Sequence, residues 1–173
     1  MLTSERASEK VAQIVRDAGG QIIGRTRLQK LAYLLEVSGL GAGFAFKYKH
    51  YGPYSEDLAN AAESAHLVGT LEERQCQTDW GGFYSIYSVV GSNSISPNAA
   101  RVALASLAVD ADPVELELAA TAVFLSRDGF DEPWLETLKR KPEKATDLRL
   151  KRAKELYKEM LTIRTPTPLP RII

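Results

Sequence analysis

Two histidines, His50 and His66, and one cysteine, Cys76, are the side chains best suited to metal, general-base or nucleophilic chemistry. Their spacing supports none of it. A metal centre wants a third ligand close in sequence, and none is legible. A histidine base needs a nucleophile or acid partner, and no Ser-His-Asp order lies beside either ring. His50 sits in an aromatic, strand-like run and His66 on a helix flank, so packing is the favoured reading of both. Cys76 falls in an expected strand, where it reads as a small core residue. A lone cysteine also excludes an internal disulfide and fits a reducing cytoplasm. No phosphate-cradling loop, dinucleotide fingerprint or HExxH helix occurs, and Gly19-Gly20 and Gly39 to Gly43 read as helix stops and loop. The chain is expected to be no enzyme and to carry no cofactor and no metal.

What remains is binding. In "GRTRLQKLAYLLE", Leu28, Leu31, Ala32 and Leu35 form the apolar stripe of a helix over Thr26 to Val37. Arg27 and Lys30 lie three apart on the other side, so both are expected to face a partner. In "KYKHYGPYSEDL", alternation from Phe44 to Tyr51 predicts a strand, Gly52-Pro53 a turn, and Ser55 the N-cap of a helix. That helix buries Leu58, Ala61, Ala62, Ala65 and Val68. Gln29 either joins the recognition surface or ties down the backbone of the Tyr51 to Tyr54 turn, and the second reading is favoured.

The remaining elements follow from the same signals. A first helix runs from about Ser4 to Ala18. Strands over Leu71 to Gln77 and Phe83 to Val90 flank a turn at Asp79-Trp80-Gly81-Gly82. Helix, helix, strand, helix and hairpin resemble a winged-helix arrangement with the hairpin as wing. Ser96-Pro97 and Asp112-Pro113 each read as a helix start. The segment Val114 to Leu125 is apolar nearly all round and should be central. A short segment spans Trp134 to Lys139, and Pro142 is expected to open a last helix burying Leu150, Ala153, Leu156, Tyr157, Met160 and Leu161. "TPTPLPRII" should be extended. The fold class expected is mainly α with a small antiparallel β-sheet. The winged-helix-like module covers 1–92, C-terminal helices packed on it cover 93–164, and a Pro-rich tail covers 165–173.

With Leu28, Gln29, Lys30, Leu31, Tyr33 and Leu34 followed by Tyr51, Gly52, Pro53 and Ser55, the chain resembles the YwgA-type proteins, distant relatives of the Panacea (SocA-like) antitoxin domain. Leu116 to Ala119 and Lys141-Pro142 extend the likeness over most of the chain. It implies a small cytoplasmic prokaryotic protein, and Panacea members are implied to neutralise toxins by direct contact. The partner expected is therefore another protein, a toxin among the candidates. Its site would comprise Arg27, Gln29, Lys30, Tyr33, Tyr51, Gly52, Pro53, Tyr54, Glu56 and Asn60.

Charge frames the alternative, a nucleic-acid-binding regulator. Residues 139–173 hold eleven Lys/Arg and four Asp/Glu, an excess of +7, so residues 1–138 carry −7. DNA presents about one negative charge per 1.7 Å. The helix after Ser55 exposes Glu56, Asp57, Asn60 and Glu63 without a single Lys or Arg, which opposes docking on phosphate. Basic residues do gather elsewhere. Arg25, Arg27, Lys30, Lys47 and Lys49 form one candidate patch. Arg140, Lys144, Lys151, Lys154 and Lys158 form a stripe at helical spacing, which by default is a solvated face. The last helix is expected to pack partly against the acidic N-terminal module, with Leu150, Ala153, Tyr157 and Leu161 as its buried seam. No apolar run approaches the roughly 18 residues that cross a membrane.

Overall fold

A computed structural model describes residues 4–91 and 94–173, and the domain boundary expected at 92/93 lies outside them. In chain order the elements are α1 (Ser4–Asp17), β1 (Gln21–Ile23), α2 (Arg25–Val37), β2 (Lys47–Lys49), β3 (Gly52–Tyr54), α3 (Glu56–Leu67), β4 (Leu71–Gln77), β5 (Phe83–Val89), α4 (Ala99–Asp110), α5 (Pro113–Arg127), α6 (Pro133–Arg140) and α7 (Asp147–Leu161). Strands β1, β5 and β4 form one antiparallel sheet in that order, while β2 and β3 form a separate antiparallel hairpin. The architecture is mainly helical with small antiparallel sheets.

Three local expectations change. The Phe44 to Tyr51 strand shrinks to Lys47–Lys49. One carboxylate oxygen of Glu36 accepts the backbone N–H groups of Ala42, Gly43 and Phe44 at 2.6–2.8 Å, which holds that stretch as a loop. Gly52 and Pro53, expected as a turn, pair as strand β3 with Lys49 and Tyr48, and the turn moves to His50-Tyr51. His50 is thus an exposed turn residue and not a strand residue. The last helix opens at Thr146, whose side chain accepts from the Arg149 N–H, and not at Pro142. Strand β1 went unforeseen. It pairs Ile22 with Tyr87 and completes the three-stranded sheet.

The helix starts follow side-chain chemistry. Ser55 Oγ accepts from the Leu58 N–H and Asp112 accepts from Val114 and Glu115, each filling an otherwise orphan donor. At the third start, Asn98 caps α4 in place of the expected Ser96. Helix α5 is buried on nearly every side, and it meets α2, β3, α6 and α7. The last helix packs mainly on α5 with α4 beside it, through Ala153, Tyr157 and Met160, and not on the N-terminal module as expected. Apolar burial therefore sets its docking, and charge acts at particular pairs. Lys141 and Lys144 reach back to Glu117, and Arg152 lies 3.9 Å from Glu115. The tail lies along the body: Trp134 Nε1 donates to Ile172 O at 2.8 Å, Thr167 N to Ser38 O at 3.0 Å, and the Tyr157 hydroxyl to Pro170 O.

Candidate functional site

The β2–β3 hairpin and the residue after it are gripped by their backbone from two sides. From α2, Gln29 Nε2 donates to Ser55 O at 2.9 Å and its Oε1 accepts the Ser55 N–H at 2.8 Å. Its neighbour Lys30 sends Nζ to Pro53 O at 2.7 Å. From beyond α6, Lys141 Nζ donates to His50 O at 3.1 Å and to Glu117 Oε1 at 2.8 Å. The second Glu117 oxygen takes Lys144 at 3.0 Å. Glu117 thus joins the two lysines of the basic C-terminal segment to the core helix, and the hairpin is clamped between α2 and α5.

Lys30 corrects the expectation that it faces a partner beside Arg27. It is 1 % exposed, because α2 is buried almost all round and offers little outward face at that position. Burial pushes its ammonium down to about 7, and Lys141 and Lys144 act the same way against the opposing pull of Glu117. Between about 7 and the ordinary lysine value of 10.5, the unfolded chain holds the proton and the folded chain does not. Stability should therefore rise with pH across that window and level off on either side. Urea midpoints at neutral and mildly alkaline pH check this: the wild type should gain more than Lys30→Met. Identical pH dependence in both would refute it.

The expected binding residues split into two sets. Gln29, Lys30, Tyr33, Gly52 and Pro53 are buried. Tyr33 packs edge-on to Phe46 at 5.3 Å and against Phe124 at 5.9 Å. Arg27 bridges Ile23 O and Ala111 O at 2.6 and 2.8 Å, joining β1 to the start of α5. Tyr51, Glu56 and Asn60 are exposed, and Tyr54 is half-buried. Lysine amines cap the two tyrosine rings, Lys144 over Tyr51 at 4.6 Å and Lys49 over Tyr54 at 4.7 Å. Lys49 also pairs with Glu56 at 2.8 Å.

Beside this outward set lies a groove of about 390 Å³ between α2 and α3. Leu28, Gln29 and Ala62 line it along with Tyr54, Asn60, Glu63, His66, Glu73 and Tyr87. Glu73 is fixed by Arg25 at 3.1 Å and by the Ser85 hydroxyl at 2.7 Å. Burial, reinforced by Glu73, pushes the Tyr87 phenol up to about 12, so the ring stays neutral. Glu63 is exposed, and His66 uses Nδ1 to accept the Glu73 N–H at 3.1 Å.

The basic stripe does not form one outward surface. Arg140 stacks on Tyr48 and Phe130 and pairs with Glu136. Lys144 is held by Glu117, and Lys154 lies over Trp134 at 5.7 Å. Lys151 and Lys158 are exposed, with Glu155 and Glu159 exposed on the same helix. The candidate patch of Arg25, Arg27, Lys30, Lys47 and Lys49 is likewise divided, with Lys30 inside and Arg25 on Glu73.

Sequence reasoning assigned no site role to Glu117 and Lys141 in the clamp or to Glu73 and Tyr87 in the groove, and it set His66 aside as a packing residue. One signal was present. Of the two carboxylates in the central helix, Glu115 lies in its first turn, whereas Glu117 lies within the apolar run and must find a buried partner.

No family model matches the chain. Over 130 residues it is 28% identical to "Uncharacterized protein YwgA" of Bacillus subtilis (strain 168), covering 71% of this chain and 75% of that protein. The chain is similar to that protein over this span. Among the described residues, no helix is long and apolar enough to cross a membrane.

Proposed function

We propose that the chain is a non-enzymatic, cytoplasmic protein-interaction module of winged-helix-like build. Its binding surface is the outward edge of the clamped hairpin together with the groove between α2 and α3. The observation that carries the reading is that Tyr51, Tyr54, Glu56 and Asn60 stand on a hairpin and helix start whose backbone is held by Gln29, Lys30 and Lys141. Such preorganisation lowers the ordering cost of association. Tyrosine supplies large contact area with few rotatable bonds, as binding centres commonly use. The acidic exposed face of α3 supports a protein partner over nucleic acid. The Panacea resemblance makes a toxin the first partner class to test.

Affinity capture from cells of the source organism tests this. The wild type should retain one partner in stoichiometric amount, and Asn60→Arg should lose it with an unchanged melting temperature. Selection of a reproducible duplex DNA motif with sub-micromolar affinity at physiological salt would sink the reading.

A further inference from the structure

We infer that the free edge of strand β4 is a symmetric contact between two copies of this chain. Among the described residues, in the order β1-β5-β4, β4 has a neighbour on one side only. The backbone hydrogen bonds fix which groups face that edge. Val90 N donates to Thr70 O at 3.4 Å and Thr78 N to Gly82 O at 2.8 Å, so even-numbered residues along β4 bond towards β5. Odd-numbered residues point their N–H and C=O outward. Glu73 demonstrates this, since its N–H goes to the His66 ring. Gln75 and Gln77 are exposed, and unpaired edge groups of this kind template a further strand.

What covers the edge is indicated by its two ends. Leu67 and Val68, just before β4, are 77% and 67% exposed, Val68 standing past the end of α3 and not in its buried face as expected, and Trp80 and Phe83, just after it, are 83% and 70% exposed. Clustered large apolar residues in water mark contact sites. Antiparallel pairing of two β4 strands about a two-fold axis sets the leading end of each copy against the trailing end of the other, so both apolar pairs meet.

Charge chooses the register. With the axis at Gln75, that residue faces its own counterpart, Glu73 faces Gln77, Arg74 faces Cys76, and Glu72 faces Thr78. No like charges are opposed. Centring on Glu73 instead would set two carboxylates face to face, which is unfavourable, and centring on Gln77 shortens the ladder. His66 is the obstacle: its exposed ring occupies the Glu73 N–H and must swing aside. The contact would bring the second copy's Trp80 and Phe83 to the rim of the groove between α2 and α3. The inference stands apart from the partner-binding reading, because it concerns the purified chain alone.

Sedimentation from micromolar to several hundred micromolar protein is the test. The wild type should dimerise reversibly. Gln75→Pro, lacking the N–H at the axis, should stay monomeric with an unchanged circular dichroism spectrum. His66→Ala should dimerise several-fold more tightly. The facing pair at the axis lies about 5.5 Å apart between Cα atoms, within disulfide reach of about 4.4–6.8 Å. Gln75→Cys in a Cys76→Ser chain should therefore cross-link on mild oxidation, which decides the matter even if Gln75→Pro fails to fold. A wild type that stays monomeric throughout, or a folded Gln75→Pro that dimerises as well as wild type, would overturn the proposal. So would a wild-type dimer joined through Cys76, which would move the axis to that residue.

Discussion

Glu117→Ala is expected to destabilise the fold by about 3–5 kcal/mol, the range for removing one partner of a buried ion pair. For a chain of this size that corresponds to a fall of about 6–20 °C in melting temperature. The Glu117 carboxylate is the counter-charge for Lys141, both side chains being only 4% exposed, and it also holds Lys144. Without it the Lys141 ammonium stays buried with His50 O as its remaining partner, and Lys30 loses the carboxylate that opposes its desolvation. Glu117→Gln keeps an acceptor and should cost less. Adding Lys141→Met should recover part of the loss, because the stranded charge is then gone. Amide exchange should accelerate at residues 47–54, whose backbone the network grips. A loss below about 1 kcal/mol would mean that water already solvates the pair, and the clamp would lose its basis.

The sequence disclosed backbone obligations better than it disclosed exposure. Gln29 could be read as a tie for the backbone of the Tyr51 to Tyr54 turn because buried N–H and C=O groups must find partners; both its bonds fall one residue further on, at Ser55, and it is Lys30 that reaches Pro53 O. Likewise the apolar run Val114 to Leu125 has no outward face to offer, so its central position follows. Spacing misled at Lys30. An i, i+3 pair with Arg27 shares one side of a helix, but neighbouring elements decide whether that side is outside. Leu28 through Leu35 are buried without a break, and the amine is drawn in to Pro53 O. Alternation likewise overran at Phe44, because periodicity cannot register a distant carboxylate, Glu36, collecting three consecutive N–H groups. β1 has three residues between two glycines, too few for any period to show. The basic stripe looked continuous because helical spacing is blind to aromatic neighbours. Tyr48, Tyr51 and Trp134 each take one of its cations.

Gly52→Ala is expected to cost about 2–5 kcal/mol, combining left-handed backbone strain with overpacking. Gly52 has φ +88°, a conformation that alanine adopts only under strain. A methyl group there would run into Thr121 Oγ1 and lie 3.5 Å from Thr121 Cβ on the central helix. The first contact is impossible without movement and the second is ordinary, so the hydroxyl alone sets the clash. Thr121 Oγ1 is itself buried without a hydrogen-bond partner among the described residues, and Thr121→Ala should therefore be close to neutral. The double substitution should relieve the clash and leave the backbone strain, recovering about 1–3 kcal/mol of coupling. A double variant as unstable as Gly52→Ala alone would show that close approach to α5 is not what the glycine serves. The same cycle separates stability from binding. In Gly52→Ala the hairpin must lift off α5 and carry Tyr51 and Tyr54 with it, so partner capture should fall further than the loss of folded protein explains. Capture should return when Thr121 is shortened. This requires only that the outward tyrosines owe their positions to the inward contact of the residue between them.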